Sequence, residues 1–439
     1  MKIHFSRVAF GAMASALAVS CGPSNTQINP VDAGADAADA SKDSTIADAP
    51  ADTSTDTTTD STSRDAADAT EAGEGGADGD ASSACLPTSG PDGLDAYLTL
   101  MDSTKCVVAQ YDVPTAPVMT LTWGRHGGPL GFDASDPSDV KIVRWTAPAA
   151  ATGTLTSTVE SHAVSSLPSG PFFWGPQALD LPFFGWTAIS YSTTDTASAG
   201  ELLLVTSAGD DAVARYDVNG FYSETVVGTS DGRLFYTGLS PLSTTTSTTS
   251  AGGVYFADDC GTSSSSPRLT PEGDTSCTAP GLYATWQAGS SGPVAVDAKD
   301  DVFAFLSTFG GNQELRAFHH SGTGRGDAPV AGTTMFSDTK YTTELTADGR
   351  RVYYQPNDPT VAFPAPPQLD VQSLAYTIDD TAKTVSPVGA PSTFLALVTP
   401  GTPVALLVDD VGRLWVGVAK ASSGDAGPTS SIFYVLADK

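Results

Sequence analysis

The chain has 439 residues, with 50 Asp and Glu against 21 Lys and Arg, for a formal net charge of −29 and a sequence pI near 4.2. That balance excludes recognition of nucleic acid or of an anionic lipid surface through charge, since both need clustered Lys and Arg. With 43 Gly, 30 Pro and only 5 Cys, the composition is that of a turn-rich globular chain, not a disulfide-dense miniature scaffold.

In chain order, the first 21 residues, MKIHFSRVAFGAMASALAVSC, place Lys2 and Arg7 ahead of a twelve-residue apolar stretch at 8–19. This is the layout of a secretory signal, and it falls short of the roughly 20 residues that a bilayer span needs. The ending AVSC resembles the lipobox of bacterial lipoproteins, in which small residues precede a cysteine that is acylated and becomes the mature N-terminus. That resemblance makes Cys21 the lipidation site, the membrane a partner through the lipid anchor, and the bacterial cell envelope the location, extracytoplasmic at the outer membrane or cell surface. Without the resemblance, residues 1–21 read as an ordinary cleaved signal.

Residues 22–84 form a linker. Between 31 and 84 it is built almost wholly from Asp, Ala, Ser, Thr and Gly, with 12 Asp and 2 Glu against Lys42 and Arg64. Such a stretch cannot bury a core and repels itself, so disorder is expected. A chain of this length would reach about 40 Å and serve as a tether.

Residues 85–439 are the expected folded domain. In an oxidising compartment disulfides are permitted, and the domain holds four cysteines, Cys85, Cys106, Cys260 and Cys277, which allow three full pairings. Pairing of sequence neighbours is the simplest: Cys85 with Cys106 and Cys260 with Cys277. The absence of CxxC argues against a zinc or thioredoxin-like site.

Short runs of Val, Tyr, Phe, Leu and Thr bounded by Gly, Asp, Ser and Pro continue from residue 100 onward, so the domain reads as all-β. Four stretches each give three strands in order: TAISYS, ELLLVTS and AVARYDV within 187–218; PVAVDA, DVFAFLS and QELRAFHHS within 293–321; TTELTA, RRVYYQ and QSLAYTI within 342–378; PVALLVD, RLWVGVA and SIFYVLA within 403–437. Taking Leu203, Val254, Phe303, Val352 and Leu414 as centres of the second strand gives spacings of 51, 49, 49 and 62 residues. A period near 50 is a repeat signal. Three- or four-stranded sheets of that length cannot bury both faces alone, so copies must pack face to face about an axis, which is a β-propeller. Six blades are counted and seven are possible, with VMTLTWG and VKIVRWT in 118–146 forming one blade. The last unit stops at three strands, leaving an open edge, and a strand within residues 104–114 is expected to complete it.

The recurring phrase is strand, acidic turn, strand: LVDDVGRLWVGVA, AVDAKDDVFAFLS, LTADGRRVYYQ and TSDGRLFYTG. The first two resemble the blade phrase of NHL-type and gluconolactonase-like propellers. The resemblance covers most of 187–439 at motif level and implies architecture, with little said of function. The hydrolases of that group hold a divalent metal in the central channel; no ligand of theirs can be matched here residue by residue, so no metal, cofactor or catalytic residue is carried over.

Other motifs read as structure. Gly228-Thr229-Ser230-Asp231-Gly232 spells G-x-S-x-G, but a strand follows where a nucleophile elbow needs a helix. His319 and His320 would face opposite sides of a strand. Asp133, Asp136 and Asp139 lack the Gly and Glu of a calcium loop. The aromatic cluster Phe172, Phe173, Trp174, Phe183, Phe184 and Trp186, in GPFFWGPQALDLPFFGW, is either blade packing or an exposed platform for a protein, peptide or carbohydrate ligand. The expected function is therefore a lipid-anchored extracytoplasmic propeller acting as a binding, scaffold or sensing module, with a metal-dependent envelope hydrolase or lactonase as the alternative.

Overall fold

The computed structural model describes residues 84–439 apart from 114–120, 125–126, 134–138, 164–176, 182–185, 193–198, 206–213, 220–225, 231–232, 239–252, 259–280, 286–291, 308–312, 321–331, 339–341, 359, 362–366 and 421–429. Residues Ser82–Lys439 make one compact unit. Among the described residues the one helical element is a single 3-10 turn, Leu94–Ala96, and no helix is long and apolar enough to cross a membrane.

In chain order, β1 (Leu98–Leu100) and β2 (Lys105–Val113) come first. The strands β3 (Thr122–Gly124), β4 (Gly128–Asp133) and β5 (Asp139–Thr146) follow, then the short β6 (Thr152–Thr154) and β7 (Thr156–Ala163). Next are β8 (Gln177–Leu181), β9 (Trp186–Ser192), β10 (Ala199–Val205) and β11 (Ala214–Asn219), then β12 (Val226–Gly228), β13 (Arg233–Gly238), β14 (Gly253–Asp258) and β15 (Gly281–Thr285). The chain continues through β16 (Val294–Val296), β17 (Val302–Ser307), β18 (Gln313–Phe318) and β19 (Thr333–Asp338) to β20 (Thr342–Ala347), β21 (Arg351–Pro356), β22 (Val371–Asp379) and β23 (Thr384–Leu397). It ends with β24 (Val404–Val408), β25 (Leu414–Ala419) and β26 (Ser431–Asp438).

These strands form six sheets, ordered β3-β4-β5-β7, β8 to β11, β12 to β15, β16 to β19, β20-β21-β22-β23-β1 and β24-β25-β26-β2-β6. Neighbouring strands of a sheet pair antiparallel, except β6, which runs parallel to β2. The first strands β3, β8, β12, β16, β20 and β24 stand beside one another in that order, and β24 returns to β3. This is a propeller arrangement, with each sheet packed face to face on its neighbours.

The cores lie between sheets, which explains strands that are apolar on both faces. Tyr353 and Phe394 of one sheet pack on Leu414, Val416 and Tyr434 of the next, and Trp415 meets Tyr111 and Trp123 at ring separations of 5.5 and 5.1 Å. Phe305 and Leu315 pack on Val352 and Tyr354 across the seam between β16–β19 and β20–β23. At about 25 cal/mol per Å2, such aromatic and aliphatic burial is the main stabilising term.

The ends of the chain close the ring. Antiparallel to β26 runs β2, from Lys105 opposite Asp438 to Val113 opposite Ser431, so a strand from residues 104–114 completes the last sheet. Cys85 and Cys106 are disulfide-bonded with Cα atoms 5.6 Å apart, which fixes the entering chain to the start of β2. Cys260 and Cys277 lie outside the described residues.

The repeat register differs from the sequence reading in two units. Phe303, Val352 and Leu414 lie on second strands, but Leu203 and Val254 lie on β10 and β14, the third strands of their sheets. The physical reason is that hydrophobicity peaks on buried middle strands, while first strands such as VVG are three residues long and carry little pattern. The 62-residue interval before Leu414 holds the long β22–β23 hairpin, whose second strand has 14 residues. Of residues 170–186, the described part supplies β8 and the first residue of β9.

Candidate functional site

The acidic phrase joins the first strand of a sheet to its second, and its leading residue caps the turn. In the last sheet, Asp409 accepts through Oδ1 from the backbone N–H of Val411 and Arg413 at 3.2 and 2.7 Å. Its Oδ2 accepts from Arg413 Nε at 2.7 Å and from the Trp415 indole N–H at 3.0 Å. Gly412 takes φ +81°, a left-handed value that glycine adopts without strain. In the β20–β21 turn, Asp348 accepts from the N–H groups of Arg350 and Arg351, and the Tyr353 hydroxyl donates to its Oδ2 at 2.7 Å. Thr229 does the same with a hydroxyl, accepting from the Arg233 N–H at 3.1 Å. The acids are therefore turn caps whose second oxygen ties down a side chain of the following strand.

One turn departs from this pattern. In Asp297-Ala298-Lys299-Asp300-Asp301, two aspartates stand where Gly412 and Arg413 stand in the last sheet, and where Gly232 and Arg233 stand in the β12–β13 turn. Asp297 keeps the cap, accepting from the N–H groups of Lys299 and Asp301 at 2.9 and 3.0 Å. Its Oδ2, however, accepts from Tyr376 of the neighbouring sheet at 2.6 Å. Asp300 takes the left-handed φ of +66°, a position that costs a non-glycine residue about 1 kcal/mol. Its carboxylate accepts from the backbone N–H of Ser230 at 2.9 Å and from the Ser230 hydroxyl. Asp301 is 1% exposed; its Oδ1 accepts from the His320 N–H at 2.6 Å, and its Oδ2 is buried without a hydrogen-bond partner.

The end of β18 brings two histidines to this turn. His319, buried, meets Asp380 of the β22–β23 turn at 3.0 Å, and the His320 ring lies 4.0 Å from Asp300. Titratable side chains of two successive sheets thus meet here, and Ser230 of the preceding sheet joins them. Burial pushes the Asp301 carboxyl up to about 6, with the Asp297 carboxylate adding to it against the His320 N–H. Burial also raises Asp297, against the hydrogen bond from Tyr376, and burial and the Asp297 charge together raise the Tyr376 phenol. Perturbed groups converging at one place mark it as the candidate functional site of the described residues.

Ser230 donates to Asp300 Oδ2, and the His320 ring nitrogen lies 4.0 Å from the same oxygen. Among the described residues no group of three or more His, Cys, Asp or Glu is arranged to hold a metal ion.

The other residues singled out from sequence are not brought here. Phe172, Phe173, Trp174, Phe183 and Phe184 lie outside the described residues, as does Cys21, and Trp186 opens β9 opposite Leu181. Asp133 ends β4 and Asp139 begins β5, so DASDPSD spans a hairpin connection. Sequence reasoning passed over Asp300 and Asp301, although DAKDD beside DDVGR shows acids displacing both a turn glycine and an arginine. Tyr376 and Asp380 carried no such signal, being 79 and 61 residues from their partners.

No family model matches the chain, and no curated protein does. Among solved structures it is similar to a protein of unknown function from Dyadobacter fermentans, at 13% identity and a TM-score of 0.43, covering 77% of this chain and 100% of that one. It is similar to a fungal alcohol oxidase of the AA5 family in complex with copper, at 10% identity and a TM-score of 0.37, covering 76% of each chain. An arabinanase of Bacillus subtilis aligns at 10% identity and a TM-score of 0.32, covering 73% of this chain and 94% of that one. The fold assignment rests on the order of the sheets and not on these likenesses.

Proposed function

We propose that this chain is an exported lipoprotein, anchored through Cys21, whose acidic tether carries a six-bladed β-propeller that works as a binding or scaffold module at the cell envelope. The observation that carries the reading is where the folded unit begins. Cys85 is bonded to Cys106 at the start of β2, beside Asp438 at the end of β26. Lys105 reaches Asp438 at 3.1 Å and Asp348 at 3.8 Å, so both ends of the domain sit with the acidic turns on one face. The ligand of such a module would be a protein, peptide or carbohydrate.

The acidic turns belong to the frame of the ring. Both oxygens of Asp409, Asp348 and Asp297 are engaged in capping and in holding neighbouring side chains. The blade phrase resembles NHL-type propellers, and the six sheets with adjacent first strands fit six blades.

Fractionation tests the reading. Cys21→Ser is expected to shift the protein from membranes to the soluble fraction, because several buried acyl chains at about 0.8 kcal/mol per CH2 make release of the native form negligible; an unchanged distribution contradicts the anchor. Metal analysis of the purified domain tests the module itself. A divalent ion retained near stoichiometry would favour the hydrolase alternative, with its metal in the channel.

A further inference from the structure

We propose that the seam between the β16–β19 and β20–β23 sheets is a proton-operated latch, tightened in acid and loosened at neutral pH, centred on Asp301. The sequence itself sets this turn apart: Asp300 replaces a glycine at a left-handed position, and Asp301 replaces an arginine at a buried one. Local rules broken twice in five residues indicate a use beyond folding.

The groups acting on Asp301 come from every element around it. On its own turn are Asp297 and Asp300, with Lys299 exposed beside them. From the end of β18 come His319 and His320, and from the neighbouring sheet come Tyr376, bonded to Asp297, and Asp380, bonded to His319. Among the described residues of the preceding sheet's turn, Ser230 contacts Asp300, and the buried Arg233 begins the strand that follows.

The sign follows from burial. Ionised, Asp301 holds a charge with one oxygen lacking a donor, next to the buried Asp297 carboxylate. Protonated, it loses that charge, and its second oxygen becomes a donor. Its folded pKa of about 6 lies above the ordinary carboxyl value of 3.8, so the folded seam binds the proton more tightly than the unfolded chain does. Stability contributed by this group is present below about 3.8 and is lost as pH rises through about 6.

Two measurements on the mature full-length chain test the latch. Asp301→Asn removes the buried charge at unchanged size; the variant is expected to melt several degrees above wild type at pH 7.5, with the gap closing at pH 5 and its midpoint near pH 6. An identical gap at both pH values overturns the proposal. Hydrogen exchange on the wild-type protein stands independently of how the variant folds. Corrected for intrinsic rates, amides of β17 and β22 are expected to exchange about tenfold more slowly at pH 5 than at pH 7.5, the factor for one unit of the shift, while β25 and β26 stay level. Equal pH dependence in the two sets overturns it.

Discussion

Two turns built on one phrase, 409–413 and 297–301, show how a repeat can carry both architecture and a switch. In the first, every oxygen of the leading aspartate is used within its own hairpin, and the arginine and glycine that follow complete a closed local unit. In the second, the same cap forms, but the side chains reach outward: Asp297 reaches Tyr376, Asp300 reaches Ser230, and His319 behind them reaches Asp380. The first turn holds one sheet together; the second holds three sheets to one another. Charge buried within a hairpin is matched where it stands, whereas charge buried at a seam depends on what the neighbours supply.

Breaking the self-contained turn should have the largest effect. Asp409→Ala leaves the Arg413 guanidinium, the Trp415 indole and two backbone N–H groups short of an acceptor. Loss of a buried, charge-assisted network of this kind costs about 3–5 kcal/mol, measurable as a lower denaturant midpoint at unchanged m-value.

Next in size is the covalent tie at the ring closure. Cys85→Ser with Cys106→Ser opens a loop of sequence separation 21, for which the chain-entropy account gives about 3 kcal/mol. Reduction of the wild-type Cys85–Cys106 bond should reproduce that loss, and equal melting of the oxidised and double-serine forms would show that the bond adds nothing.

A smaller effect sharpens the contrast in pH response. Asp102, on the entering segment, bonds Arg351 of the β20–β23 sheet. Burial raises its carboxyl, but the hydrogen bonds from Thr104 and Arg351 outweigh this and hold it at about 2. Its contribution is fully present above the ordinary carboxyl value of 3.8 and is lost as pH falls through about 2, the reverse of Asp301. After allowance for solvent screening, Asp102→Asn should cost about 1 kcal/mol at pH 7, with the difference from wild type vanishing near pH 2.

Much of the fold was legible because its strongest signals are local. RLWVGVA alternates between two packed faces and forms β25, and the three-strand ending of the chain called for a strand from residues 104–114, which is β2. The first strands of the sheets were harder to read: VVG and VAV are too short for periodicity, and their position is set by neighbouring sheets. That is also why ELLLV, the most apolar run of its sheet, was placed one strand too early. The candidate site was half legible. DAKDD and the paired histidines are visible in the sequence, but the partners Tyr376 and Asp380 arrive through packing between sheets, which no local pattern encodes.

The closed ring underlies the seams between sheets, and it rests on β2 beside β26. Thermal unfolding of two truncated chains tests it most directly, one lacking residues 22–84 and the other lacking 22–114. The first should melt as the full chain does. The second loses β2 and the Cys85–Cys106 bond and exposes the edge of β26, so it should unfold or aggregate. Equal melting of the two would contradict ring closure by the N-terminal strand.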